Sequence, residues 1–459
     1  MSLRIVGLLV LASAPSCAAR LQEPKVAPLA IFERVTALDR CIWAIHEDRS
    51  GTHWFASAGS GVYRFDGASL SRLTRASGLC SDDIRSIQED GAGHLYFGSH
   101  DGVSKFDGRS LVTLEASADD APGVGWKLTP DDLWFSAGQD TGAVLRYDGE
   151  KLHRLKIPPT PLGEEFLAKY PRAEYPNMKY SPYDVYTTYR DRQGNLWFGT
   201  ASLGACRYDG RSAAWIHEQD LGFDLGNRSF GVRAIAEDRD GKFWLTHTRH
   251  RYTVDPSGEA QQSRGGLRYA RERGLPHGVE RGAEDYSYVM SMLRDEGGDL
   301  WMATYGAGVW RFDGERLTHY PVEVGGVPIT VFSIYRDRGG DLWLGTHEHG
   351  VCRFDGTKFG KVSFESLPTA RRSSRSRRVG FSARPLVARR PGAPPPPRGP
   401  SRIASRSCAA DPTQRSSCRS PFPCDRALRA SRERRSPRRW GRSSRSRPSG
   451  WRGGDHPRA

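Results

Sequence analysis

The chain has 459 residues, 12 Trp, 51 Gly and 8 Cys, with 10 % aromatic and 26 % charged residues, a composition that suits a large all-β domain with many turns. Its formal charge of +15 is unevenly spread: residues 1–365 hold 43 Lys and Arg against 49 Asp and Glu, whereas 366–459 hold 25 Arg, no Lys and 4 acids. The basic balance therefore belongs to one end, and the overall charge says little about the bulk of the chain.

In chain order, the first segment, MSLRIVGLLVLASAPSC, carries one charge (Arg4) before an apolar run over 5–14. Ten residues are too few to span a bilayer and match the core of an export signal, so 1–19 is predicted to be a signal peptide or lipoprotein signal. A membrane anchor would then require lipidation of Cys17. No other stretch approaches 18 apolar residues. Residues 27–36 (APLAIFERVT) read as an outer strand ahead of the first repeat.

Seven repeats follow. Their strand cores are His53–Trp54–Phe55, Leu95–Tyr96–Phe97, Leu133–Trp134–Phe135, Leu196–Trp197–Phe198, Phe243–Trp244–Leu245, Leu300–Trp301–Met302 and Leu342–Trp343–Leu344. Each core follows an alternating run that ends in Asp, as in VYTTYRD (185–191), and most have a Gly three residues after that Asp. After the core comes a small-residue step and then a run such as GVYRFDG (61–67) or GVWRFDG (308–314). Asp-Gly between alternating apolar residues signals a tight hairpin turn. Each unit thus predicts four short antiparallel strands. A single such meander cannot bury both faces, but seven arranged radially can. The expectation is an all-β, seven-bladed β-propeller over 25–365, with the Trp/Tyr row packed between blades. Blade three lacks the Asp-x-x-Gly turn (LTPDDLWFS, 128–136), and blade five carries a long excursion over 246–269.

The pattern D-x-x-G-[ND]-L-W-x-G-T followed by G-[VL]-x-R-[FY]-D-G resembles the two-component regulator propeller repeat. The resemblance covers roughly 35–365 and implies the extracytoplasmic sensor region of bacterial hybrid histidine kinases, a unit that also occurs alone in exported proteins. It implies a periplasmic, outer-surface or extracellular location and names no ligand. Ring closure is expected with seven blades and an N-terminal clasp. Residues 357–366 are expected as the outer strand of blade seven.

If the first strand of each blade is innermost, loops between strands two and three share a face with the interblade loops, around the axis opening. The residue after each core's Ser or Thr reads Ala58, His100, Ala137, Ala201, His247, Tyr305 and His347, with His250 and His349 nearby and Glu348 between the last pair. The interblade loops add Asp82, Asp83, Tyr183, Asp184, Asn227, Arg228, Asp285, Tyr286 and Tyr288. Aromatic faces edged by Asp, Asn and Arg suit a carbohydrate or another small ligand. The candidate ligand-binding set is therefore Asp83, His100, Tyr183, Asp184, Asn227, Arg228, His247, Asp285, Tyr288, Tyr305, His347 and His349. His100, His247 and His347 could alternatively converge on a divalent ion, as in propeller lyases whose likeness is architectural only. The bland reading of these His residues is polar loop surface. No cofactor is implied, and no nucleophile elbow, phosphate loop or paired-Cys spacing occurs.

Cys41 and Cys80 could pair in an oxidising compartment, while Cys206 and Cys352 read as small core residues. The tail, 366–459, is rich in Arg, Ser and Pro without apolar period and is predicted to be disordered. A nucleic-acid arm, a solvated linker and out-of-frame translation compete there. The complete absence of Lys favours the last, and nucleic acid is not expected as a partner. Lacking kinase, receiver and span, the chain would signal only through a membrane-bound partner.

Overall fold

The computed structural model describes residues 31–117, 126–139, 141–178, 180–221, 231–274 and 288–364. The proposed signal at 1–19 and the tail from 366 lie outside them. The chain divides into a large unit, 1–166 with 180–372, and a second, 167–179 with 373–459. Of the second, 167–178 are described: the end of the helix Pro161–Lys169 and a turn in which Tyr170 meets Tyr175 edge to face.

The large unit is a seven-bladed propeller. Its blades span 42–73, 84–114, 133–156, 185–216, 235–273, 289–320 and 331–361, and each is an antiparallel meander. The first strands of neighbouring blades pack on one another around the axis. They are therefore innermost, as expected. Blade three has three strands among the described residues, and blade five gains a fifth, Gln261–Gln262.

In six of the seven blades the repeat is built by one carboxylate. Asp48 shows the logic. Its Oδ1 accepts the backbone N–H of Ser50 (2.8 Å) and Thr52 (3.0 Å), fixing the tight turn, and its Oδ2 accepts the Trp54 indole N–H at 2.8 Å. The same Asp-to-ring bond joins Asp90 to Tyr96 (2.8 Å), Asp191 to Trp197 (3.0 Å), Asp238 to Trp244 (3.0 Å), Asp295 to Trp301 (2.9 Å) and Asp337 to Trp343 (2.8 Å). The six-residue spacing of Asp and aromatic is thus a hydrogen bond that satisfies a buried donor. Blade three has Leu128 at this spacing, and the Trp134 indole N–H is buried without a partner among the described residues.

Each ring then fills the seam to the next blade. Trp54 meets Phe97 of blade two at 5.7 Å, and Trp197 meets Phe243 of blade five at 4.7 Å. All seven aromatics are buried.

The ring closes between blades seven and one. Trp343 packs 6.2 Å from Phe55, Glu47 N donates to the Tyr335 hydroxyl (2.9 Å), and Gly350 N donates to Arg40 O (2.7 Å). Blade seven supplies its own outer strand, Phe359–Lys361, and Phe364 continues past it to pack on Phe55 (5.6 Å) and Phe65 (5.1 Å) of blade one. This corrects the expected clasp. The N-terminal strand Glu33–Val35 pairs with Leu70–Arg72, the outer edge of its own blade, and adds no strand to blade seven. Closure rests instead on side-chain packing between the two ends of the ring and on the backbone bond from Gly350 to Arg40. Cys41, Cys80, Cys206 and Cys352 are all free, so the Cys41–Cys80 pairing is also corrected.

Candidate functional site

Backbone contacts place the loops after strand two beside the interblade loops: Ala58 bridges Asp83, and His247 bridges Tyr288. The face expected to surround the axis opening therefore exists. Its most distinctive feature was not anticipated. The inner strand of five blades carries a bulge at one equivalent place, between 42 and 44, 84 and 86, 185 and 187, 289 and 291, and 331 and 333. The residues so displaced are Trp43, Arg85, Tyr186, Met290 and Phe332, and Arg233 matches them in blade five. A bulge re-aims one side chain without breaking the sheet.

These side chains touch across blades. Phe332 stacks on Trp43 with centroids 4.0 Å apart and planes 4° apart, and the Arg85 guanidinium lies 4.1 Å over the Trp43 ring. Arg233 lies 3.9 Å over Tyr186. Stacking holds both guanidiniums, so their planar donors are oriented before any ligand arrives. Arg85 also meets Asp83 at 2.6 Å, and its side chain is 30 % exposed. His347 meets the Phe332 ring edge-on at 5.1 Å, beside an exposed Glu348. Blades seven, one and two thus share one half-open patch of Phe332, Trp43, Arg85, Asp83, His347 and Glu348. His100 is half-buried near it, its basicity lowered by burial and then by Arg85.

The other expected residues divide. Tyr305 is 39 % exposed on this face. The His349 backbone N–H holds Thr346 Oγ1 at 3.0 Å. Three residues are corrected from ligand to framework. Tyr183 is buried, with its hydroxyl donating to Glu164 Oε1 (3.1 Å) and accepting from Thr160 N (2.9 Å). Asp184 is buried and accepts from Thr141 N (3.1 Å), Gly142 N (3.0 Å) and Ser181 N (2.8 Å). His247 is 2 % exposed, with Nε2 at 3.2 Å from Leu221 O and Nδ1 accepting from Arg249 N at 3.2 Å. The Tyr288 hydroxyl donates to Gly231 O (3.0 Å). Asn227, Arg228 and Asp285 lie outside the described residues.

The alternative metal set is corrected too. No group of three or more His, Cys, Asp or Glu is placed to hold an ion among the described residues, and both ring nitrogens of His247 are engaged.

A groove of about 820 Å³ lies on the seam of blades six and seven, lined by Arg311, Arg336, Arg353 and Trp301 among others. Its cations meet acids close by: Arg311 with Asp299 (2.5 Å) and Arg336 with Glu296 (2.7 Å). It belongs to the seam rather than to the axis.

Burial pushes His247 down to about 3, with His250 as the second influence. A His depressed below its unfolded value near 6.5 stabilises the fold above pH ~6.5, and that stability is lost as pH falls toward the folded value, by at most about 1.4 kcal/mol per pH unit. Asp90 is also depressed, to about 2: burial opposes this, but hydrogen bonds from His94, Tyr96 and Ala92 outweigh burial. Its contribution is present above pH ~4 and lost below it. Denaturant midpoints should therefore begin to fall near pH 6.5 and fall more steeply below pH ~4. His247→Gln should lessen the upper phase and leave the lower one unchanged. A midpoint independent of pH from 7 to 4 in the parent chain would contradict the buried neutral His.

Residues 179–202 and 325–348 match the family model described as two component regulator propeller. No curated protein matches the chain. Several solved structures are similar. The extracellular domain of the putative one component system BT4673 from B. thetaiotaomicron is 18 % identical, with a TM-score of 0.45, over 70 % of this chain and 39 % of that one. Virginiamycin B lyase from Staphylococcus aureus is 13 % identical, with a TM-score of 0.46, over 70 % and 98 %. PorZ, a surface component of the type-IX secretion system of Porphyromonas gingivalis, is 15 % identical, with a TM-score of 0.46, over 71 % and 48 %. The chain thus spans 39 % of the length of the first of these.

Proposed function

From a propeller in which residues 179–202 and 325–348 match the two-component regulator propeller model, we infer an exported, sensor-type binding module that recognises a carbohydrate or other small ligand on the face around the axis and acts through a membrane-bound signalling partner. One observation carries this reading. The residues that build the ring repeat from blade to blade, whereas those at the inner-strand bulge do not: Trp43, Arg85, Tyr186, Arg233, Met290 and Phe332. A position that packing holds constant in backbone and leaves free in side chain is where recognition is written. Aromatic rings with guanidinium and carboxylate edges match the apolar faces and hydroxyl edges of a sugar.

The test is a glycan array followed by thermal shift on the intact chain. A binding glycan should raise the melting temperature. Trp43→Ala and Tyr305→Ala should weaken binding at least tenfold, about 1.4 kcal/mol. Arg311→Gln in the seam groove should leave it unchanged. Loss of binding in Arg311→Gln with full binding in Trp43→Ala would overturn the assignment to this face.

A further inference from the structure

Two charged residues of blade two are set on the axial face by the backbone before their side chains meet. Asp83 bridges Ala58 of blade one through its main chain, and its N–H donates to Ser81 Oγ at 3.2 Å. Arg85 is re-aimed by the bulge between 84 and 86. The pair then closes, with Arg85 Nη2 donating to Asp83 Oδ2 at 2.6 Å.

Trp43 holds this pair. Phe332 stacks on its ring at 4.0 Å, and the Arg85 guanidinium lies 4.1 Å over it. Phe332 comes from blade seven and Arg85 from blade two, on either side of blade one. Two groups so close to one ring centre cannot share a face, so both faces of Trp43 are covered. A sugar ring cannot stack there, and Trp43 is a positioning residue that keeps the guanidinium flat.

Much of the pair's hydrogen-bonding capacity is unused. A guanidinium carries several N–H donors, yet among the described residues only Nη2 of Arg85 has a hydrogen-bond partner, and Nε is buried without one. Asp83 Oδ1 and the Trp43 indole N–H are buried without partners there as well. Such atoms are uncommon in folded chains, and here they gather in one cluster. The cluster still reaches solvent, because the Arg85 and Asp83 side chains are 30 % and 35 % exposed.

Donors and an acceptor thus stand side by side in an ion pair that is neutral as a unit. A hydroxyl both accepts and donates, so two neighbouring hydroxyls can accept from Arg85 and donate to Asp83. A carboxylate has no hydrogen for Asp83 and meets its charge at close range. An ammonium has no lone pair for Arg85. Glu348, the exposed acid of the same patch, has the Arg40 side chain beside it, with Arg40 Nε donating to the Glu348 backbone oxygen at 3.3 Å.

We propose that Arg85 and Asp83, held by Trp43, form a subsite that reads neighbouring hydroxyls on an uncharged sugar unit. The proposal rests on the sensor reading above and narrows it to a neutral saccharide, as against a uronate or an amino sugar. A stack restrains a guanidinium from leaving the ring but not from turning over it. Arg85 turns in this way as the hydroxyls enter, which brings Nε and Asp83 Oδ1 within their reach.

The test follows the Trp43 indole N–H resonance by NMR in the intact chain carrying isotope-labelled tryptophan, assigned with Trp43→Phe. The probes are the methyl glycosides of glucose, galactose, mannose and xylose, compared with glucuronate and glucosamine at pH 7 and constant ionic strength. At least one neutral glycoside should shift the resonance saturably, and glucuronate and glucosamine should bind at least tenfold more weakly. Asp83→Asn, checked for folding by its melting temperature, should weaken the neutral glycoside at least tenfold and shrink its margin over glucuronate, because Arg85 then keeps its charge with no carboxylate beside it. Arg85→Gln should weaken it similarly and shrink its margin over glucosamine instead. A pair with a structural role alone would weaken every probe alike, and that result in both variants would overturn the proposal. So would the absence of a saturable shift by any neutral glycoside below about 100 mM, or tighter binding of glucuronate or glucosamine by the parent chain. An array hit confined to acidic glycans and lost in Trp43→Ala would overturn the uncharged class and leave the sensor reading standing. Array hits that survive both Trp43→Ala and Tyr305→Ala would overturn the sensor reading, and the subsite with it.

Discussion

Asp191→Ala should destabilise the ring by about 3–5 kcal/mol, among the largest effects of any single substitution outside the Trp row. The carboxylate is fully enclosed, yet it accepts from Gln193 N (3.0 Å), Asn195 N (2.8 Å), the Asn195 amide (2.9 Å) and the Trp197 indole (3.0 Å). Removing it frees the turn and orphans several donors at once. Trp197→Phe removes the indole bond but keeps most of the ring against Phe243, and should cost about 1–2 kcal/mol. Urea unfolding of the two variants orders these roles. If Asp191→Ala proves the milder change, the Asp serves the indole rather than the turn, and the account of the repeat fails.

Gly345→Val should cost about 3 kcal/mol or more, because it forces apart the first and last blades. A Cβ at 345 would stand 2.5 Å from Ser333 Oγ and 2.7 Å from the backbone oxygen of Ile42. Ser333 can rotate away, but Ile42 O belongs to the inner strand of blade one and cannot move without opening the seam. Gly360→Ala is the control: nothing lies within 4 Å of its added carbon. It should change stability by less than about 0.5 kcal/mol. Thermal and urea unfolding of both variants decide the matter. A Gly345→Val chain as stable as the parent would mean that blades seven and one do not meet as described.

The fold was legible because its strongest signals are local. A Trp six residues after an Asp, and an Asp-Gly one strand later, recur often enough to count seven blades. Even the exception in blade three was visible, although its consequence, an indole without an acceptor, emerged only from the packing. The axial site was less legible for a physical reason. A one-residue bulge leaves the alternating pattern of CIWAIHED or DIRSIQED unchanged, so nothing in the run marks Trp43 or Arg85 as turned toward the axis. His247 misled for a related reason. Equivalent positions in a repeat share a backbone place but not an environment, and the blade-five excursion buries in His247 what blade seven leaves half-open in His347. Tyr183 and Asp184 sat in the expected interblade loop, but Thr141, Gly142 and Thr160, from an earlier stretch of chain, hold both.

The most direct measurement is hydrogen–deuterium exchange on the intact chain with and without a glycan found by the array. Slowed exchange is expected in 41–44, 81–86 and 345–350, which carry the bulge residues and the loops of the axial face. The Asp turns at 48–51, 90–93 and 191–194, on the opposite face, should exchange at an unchanged rate. Protection confined to those turns, or to the outer strands, would contradict recognition at the axis.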